Sequence, residues 1–174
     1  MVAPYSDYIN SLPKEEVKKA LDEVRNPVEI AIWGCKNTFN FGAIIRTGHS
    51  FLVSGFWAID IPWYYEKAAM TSMRWERDRI KERTTSQFLE ETQGRNIVAF
   101  EKRCDLNCED IRTFEYPENP ILLLGSENDG IPDVLLGRAG KIVTIPILGL
   151  CNDLNIACAA GIICYDWYNK HTRK

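Results

Sequence analysis

Five short segments of this chain are apolar almost without interruption: residues 28–33 (VEIAIW), 55–59 (GFWAI), 96–100 (NIVAF), 120–124 (PILLL) and 141–145 (KIVTI). Successive side chains of a strand point to opposite faces, so a strand with one wet face alternates apolar and polar residues. These segments do not alternate, which is the pattern of parallel strands covered on both sides. Helical stretches separate them. Residues 41–52 read as a helix with Ala43, Ile44, Thr47 and Phe51 on one side, and a short helix is expected around residues 86–92. The implied architecture is α/β, a mostly parallel sheet flanked by helices.

Two further helices bracket this core. Residues 13–25 begin with proline, carry acids early and form an apolar stripe of Val17, Ala20, Leu21 and Val24 before Pro27 ends the helix. Residues 1–25 thus read as a helical extension on one domain, residues 26–174. The last helix, residues 154–168, is apolar almost all round and is expected to be buried in the fold or in a subunit interface.

Composition excludes several classes. The chain has 174 residues, 45% hydrophobic and 26% charged, as in a soluble domain with a sizeable core. No apolar run approaches the roughly 20 residues that span a bilayer, and the first residues lack an apolar signal core. A cytoplasmic protein is expected. A formal net charge of −3 argues against coating nucleic acid by bulk charge, but a local basic face remains compatible with it. None of the six cysteines forms a C-x-x-C pair, and His49 and His171 match no ligand spacing. No metal is expected, and the thiols read as reduced, small apolar side chains.

Three segments carry the chemistry. In the first, Asn37 to Thr47, a polar loop leads from a strand into a helix. Asn40 is a plausible N-cap, Gly42 permits close backbone approach, and Arg46 lies about one and a half turns inside. Arg46 is either an arginine snorkelling from a surface face or a guanidinium facing a phosphate or a reacting hydroxyl. In the second, Gly125-Ser-Glu127-Asn-Asp-Gly130 follows a buried strand. Ligands of open α/β sheets bind beyond such strand ends. The loop is either a binding loop, with Glu127 accepting from ribose hydroxyls or holding Arg46, or a tight turn into a helix at Pro132. In the third, Ile145-Pro146 leads through Gly149 to Asp153-Leu154-Asn155 and an apolar helix. Asp153 suits the N-cap, and Asn155 reads as a buried amide serving as a bridge or a ligand contact.

Together, in this order and spacing, the segments resemble the SpoU (TrmH-like) family of SPOUT-class RNA 2′-O-ribose methyltransferases. The family's first motif reads N-P-x-N-h-G-A-h-h-R-T, where h is apolar. Asn37, Asn40, Gly42, Ala43, Arg46 and Thr47 match it, with Thr38 where proline is usual. Gly125, Glu127 and Gly130 match the second motif, and Ile145, Pro146, Gly149, Leu154, Asn155 and Ala157 the third. The resemblance covers about residues 28–170. It implies the SPOUT fold, with a C-terminal deep trefoil knot that no sequence physics would propose. It also implies bent S-adenosyl-L-methionine (SAM) held mostly by backbone, at Gly125, Ile145 and Leu154 with Phe100 nearby. The implied partners are an RNA substrate (tRNA or rRNA) and a second copy of the chain, with the active site at the junction of a homodimer.

The implied reaction is an in-line displacement in which a ribose 2′-hydroxyl loses its proton as it attacks. Arg46 is the implied catalytic residue. Its guanidinium stays protonated, so it acts by positioning and by stabilising the developing alkoxide. Asn40, Glu127 and Asn155 orient groups around it. Two departures stand out. Asp153 occupies the place of the family's serine, so it is either the actual base or a sign that activity is reduced or lost. Arg74 follows Thr71-Ser72-Met73 where relatives carry small residues. Arg74, Trp75 and Arg77, continued by Arg79, Lys81 and Arg83, read as an RNA contact with one stacking ring or as a charged helix face, since Glu76, Asp78 and Glu82 interleave. The alternative from another class is a catalytically silent SPOUT domain that binds RNA or a partner. A dinucleotide enzyme would need a G-x-G-x-x-G turn after the first strand, which is missing.

Overall fold

All five apolar segments become strands of one sheet in the computed structural model, which describes residues 13–102, 107–150 and 153–172. The strands are β1 (Asn26–Trp33), β2 (Val53–Ile59), β3 (Ile80–Arg83), β4 (Ile97–Phe100), β5 (Glu109–Asp110), β6 (Ile121–Leu124) and β7 (Lys141–Thr144). Their order across the sheet is β3-β2-β1-β6-β4-β7-β5, and every pairing is parallel. β3 and β5 are not apolar runs. β3 (IKER) closes one edge beside β2 and β5 (ED) the other beside β7. An edge strand keeps a wet side and needs no apolar run, so composition hides it.

Burial on both faces of the sheet explains the uninterrupted apolar runs. Ile30, Ile32, Phe56, Ala58, Val98, Phe100, Leu122 and Leu124 belong to one buried cluster. The alternate residues Ala31, Trp57, Ile59, Ile97, Ala99, Ile121 and Leu123 belong to another on the opposite face. Each face is roofed by helices. Lys14–Glu23 is α1, Thr38–Ser50 α2, Met73–Glu76 α3, Thr85–Glu91 α4, Asp133–Leu136 α5 and Ile156–Thr172 α6. Phe41, Ile44 and Ile45 of α2 pack with Ile156, Ala160, Ile163 and Trp167 of α6 on the first face. Phe88 of α4 and Leu135 and Leu136 of α5 cover the second. Each fully buried Leu or Ile side chain contributes about 1.5–3 kcal/mol.

One sequence expectation needs correction. Residues 74–83 form no single charged helix: α3 is four residues long, a 3-10 turn spans Arg77–Arg79, and the rest is β3. α6 buries one face in the fold and leaves the other open in the single chain, so the expected burial in the fold or in a subunit interface holds for one face. Ile162, Tyr165 and Tyr168 are 41%, 59% and 41% exposed in the single chain. The extension that holds α1 is tied to the domain. Arg25, just beyond it, donates to Val53 O (2.8 Å) and to Glu76 Oε1 (3.0 Å), and Glu76, fully buried, also meets His49 Nδ1 at 2.6 Å. An unpaired buried carboxylate is costly, so this network locks the start of the domain to the end of α2. The extension's first twelve residues lie outside the described residues, as do Cys104 and Cys151.

Candidate active site

In the sheet, β2 and β3 lie to one side of β1, whereas β6, β4, β7 and β5 lie to the other. Loops leaving β1, β6, β4 and β7 therefore meet at the carboxyl ends of the central strands, where open α/β sheets bind ligands. Three of those loops are the motif segments.

Asn37 caps α2, its side chain accepting from Phe39 N at 3.2 Å. The cap is therefore not Asn40, which lies inside the first turn and is buried at 7% exposure. Likewise Asn155, and not Asp153, heads α6: Asn155 Oδ1 accepts from Ala157 N (3.0 Å) and Cys158 N (3.4 Å). With its oxygen committed to the helix, the Asn155 amide nitrogen donates to Asn40 Oδ1 at 3.2 Å, and Asn40 Nδ2 donates to Glu127 Oε1. The residue Asn155 is exposed, not buried, yet it is a bridge. A directional chain of amides thus joins all three segments and ends on a carboxylate.

Glu127 borders a cavity of about 320 Å³ beyond β4, β6 and β7. Phe100, Gly125, Ile145 and Leu154 all line it, and so does Asp153, which is exposed. The glycines of this loop answer to the protein's own backbone. A Cβ on Gly125 would stand 2.2 Å from Gly130 C and 2.5 Å from Ile131 N, because the loop folds back on itself. Ser126 N donates to Gly130 O (3.2 Å) and Gly130 N to Ser126 O (3.0 Å), closing a turn that runs through Pro132 into α5. The segment is a tight turn and a cavity wall at once. Gly42 has the same kind of reason: a Cβ there would be 2.7 Å from Ala68 Cβ and Tyr65 O, where α2 packs against the 3-10 segment Glu66–Ser72.

Arg46 sits elsewhere. It is exposed, and in the single chain it lines a separate hollow of about 410 Å³ with Phe39, Thr47, Lys67 and Met70. Among the described residues, none accepts a hydrogen bond from its guanidinium, so neither Glu127 nor Asp153 holds it. Met70, on the rim, has φ 52° and ψ −137°, a conformation that L residues avoid. Phe39, 56% exposed, stacks on Tyr65 with centroids 5.8 Å apart.

The basic run is mostly neutralised. Arg77 makes two bonds to Glu66. Arg79 pairs with Asp22 and Arg83 with Glu91, and Lys81 lies 4.0 Å from the Trp57 ring centroid. Arg74 instead lies over Trp75, 4.9 Å from its centroid. Cys35, buried below Glu127, hydrogen-bonds Asn37 O at 3.2 Å. Burial first, then the charge of Glu127, pushes its thiol up to about 11, so it is no nucleophile at neutral pH.

Sequence reasoning missed Lys67, Phe39 and Glu101, which also lines the cavity. A carboxylate directly after the strand NIVAF was a readable signal. Lys67 and Phe39 carried none, since only packing brings them beside Arg46.

The SpoU rRNA Methylase family profile matches residues 27–165. The tRNA (guanosine(18)-2′-O)-methyltransferase of Escherichia coli K12 is 26% identical over 130 residues, 73% of this chain and 56% of that protein. The Aquifex aeolicus protein of the same name is 23% identical over 171 residues, 92% and 77% of the two chains. Among solved structures, an AdoMet-bound rRNA methyltransferase from Sinorhizobium meliloti superposes with a TM-score of 0.75 at 26% identity, covering 88% of this chain and 61% of that one. The A. aeolicus TrmH/SpoU tRNA modifying enzyme superposes with a TM-score of 0.74 at 25% identity, covering 91% and 84%. This chain thus spans little more than half the length of the E. coli relative.

Proposed function

This chain belongs to the SpoU rRNA methylase family, and from that premise we propose that it transfers a methyl group from SAM to a ribose 2′-hydroxyl of tRNA or rRNA. The observation that carries the reading is the amide chain Asn155–Asn40–Glu127 beside a cavity lined by Phe100, Gly125, Ile145 and Leu154. That cavity falls within the roughly 300–1,000 Å³ of small-ligand sites. Its walls combine apolar Val143, Ile145 and Ile156 with the carboxylates of Glu101, Glu127, Asp129 and Asp153, a set suited to a ligand with an apolar base and a cationic centre.

SAM supplies an electrophilic methyl group that leaves a neutral thioether. The chain's own residues do the rest. The cavity holds the donor against backbone at Gly125, Ile145 and Leu154, with Phe100 at the strand end. Arg46 and Lys67 face the RNA, Arg46 holding the reacting hydroxyl and stabilising the alkoxide as it develops. The amide chain fixes Glu127. Arg74 with Trp75, and Arg77 at their edge, contact RNA further out. In one chain the Arg46 hollow and the cavity are separate. A homodimer, paired through the exposed face of α6, brings one protomer's Arg46 to its partner's cavity. The deep knot, the cytoplasmic location and the extension formed by residues 1–25 belong to the same reading.

Asp153 favours a second reading, a silent SPOUT domain that binds RNA or a partner. A carboxylate in the serine's place repels phosphate. Calorimetry with S-adenosylhomocysteine, combined with mapping of 2′-O-methyl sites in RNA from cells lacking the protein, separates the two. The enzyme reading requires binding and a lost methyl site. Arg46→Ala is expected to abolish transfer while sparing SAM binding; retained turnover refutes its role.

A further inference from the structure

Glu101 is the first residue after β4 and stands in the cavity wall. Its carboxylate joins two loops. Oε2 accepts from Ile131 N at 2.7 Å, across the sheet end from it, and Oε1 accepts from Lys102 N at 2.8 Å. Its own N–H donates to Val143 O at 3.0 Å, which pins the backbone of the residue to the neighbouring strand β7. Space for the carboxylate is made by Gly130: a Cβ there would lie 2.6 Å from Glu101 Oε2, and Gly130 has φ +64°. The side chain is therefore held in one place from both oxygens and from its backbone.

A carboxylate oxygen accepts two hydrogen bonds. Among the described residues, the two backbone donors leave a second acceptor position on each oxygen. Glu101 is, among the described residues, the cavity carboxylate fixed through both oxygens: Glu127 takes Asn40 Nδ2 on one oxygen, Asp129 takes Lys36 Nζ at 2.7 Å and Ser126 Oγ at 3.2 Å on one oxygen, and Asp153 is exposed. Two adjacent acceptors on a rigid carboxylate match the two adjacent donors of a ribose cis-diol. Acids at the carboxyl end of a parallel strand serve nucleoside riboses in other α/β folds for the same reason.

We infer that Glu101 binds the 2′- and 3′-hydroxyls of the cofactor's adenosine ribose and selects ribonucleoside over deoxyribonucleoside ligands. The inference rests on the proposed SAM site and adds its ribose contact. Glu101 touches the cofactor and not the RNA, so it is a binding residue.

The test compares S-adenosylhomocysteine with its 2′-deoxy and 3′-deoxy counterparts by calorimetry, on the unmodified chain and on Glu101→Gln. In the unmodified chain each deoxy ligand should bind about ten-fold more weakly or worse, the cost of leaving a charged acceptor unpaired. In Glu101→Gln that discrimination should collapse to about two-fold, because the parent ligand weakens and the deoxy ligands do not. Equal weakening of all three ligands means that Glu101 only props the loops, and overturns the inference. Absence of discrimination in the unmodified chain overturns it too, whatever the variant's stability. If the unmodified chain binds none of the three, the SAM reading itself fails, and that result is distinct from the other two.

Discussion

The amide chain that joins the three loops should behave as one energetic unit. Asn40 is 7% exposed, donates to the Glu127 carboxylate and accepts from Asn155 at 3.2 Å. A hydrogen bond to a charged group contributes about 1.5–3 kcal/mol and a neutral one about 0.5–1.5. Asn40→Ala should therefore cost about 2–4.5 kcal/mol, a large part of a stability on the order of 5–15 kcal/mol. Urea unfolding of Asn40→Ala, Glu127→Ala and the double variant isolates the pair. The expected coupling is about 1.5–3 kcal/mol, read as a smaller loss in the double variant than the sum of the singles, at constant denaturant slope. The Asn40–Asn155 pair should couple more weakly, by about 0.5–1.5 kcal/mol. Losses for Asn40 and Glu127 that add within about 0.3–0.5 kcal/mol would refute the bridge.

Gly125→Ala should be poorly tolerated: its Cβ would meet Gly130 backbone at 2.2 Å, and the loop must open, lowering the thermal midpoint and cofactor-product affinity together. Leu123→Ala, buried from both sides, should cost about 2–5 kcal/mol in chemical unfolding. At pH 8, an alkylating reagent should label exposed Cys158 and spare Cys35 and Cys164, whose thiols burial pushes up to about 11 and about 12. Because folding raises both values above the ordinary 9.0, their contribution to stability is full below pH 9 and is lost as pH rises toward 11 and beyond. Unfolding midpoints measured across that interval should fall. Arg74→Ala should weaken RNA binding and lower its salt slope by about one, and Arg77→Ala should weaken it less, since Glu66 already holds Arg77.

Much of the architecture is legible before any coordinates. A strand buried on both faces must be apolar at every position, so β1, β2, β4, β6 and β7 announce themselves, and the helices between them leave a parallel sheet as the consistent outcome. The edge strands β3 and β5 escape because an edge needs no such run. The resemblance carried by Asn40, Arg46, Glu127 and Asn155 also implies that three loops belong to one site. What those residues do to each other is another matter. Capping depends on where a helix actually begins, and one turn's difference moves the cap of α2 to Asn37 and makes Asn40 the centre of a bridge. Glycine is similarly ambiguous in a sequence: Gly125 and Gly42 make room for the protein's own backbone and side chains. Arg46 reads as part of the same cluster, yet only the packing of α2 against residues 66–72 places it in a second hollow with Lys67. Local pattern determines which segments are strands and which loops gather, because burial and backbone period act on neighbours in the chain. Tertiary structure alone decides which polar atoms meet, because a hydrogen bond between residues 115 positions apart has no trace in either one's neighbourhood.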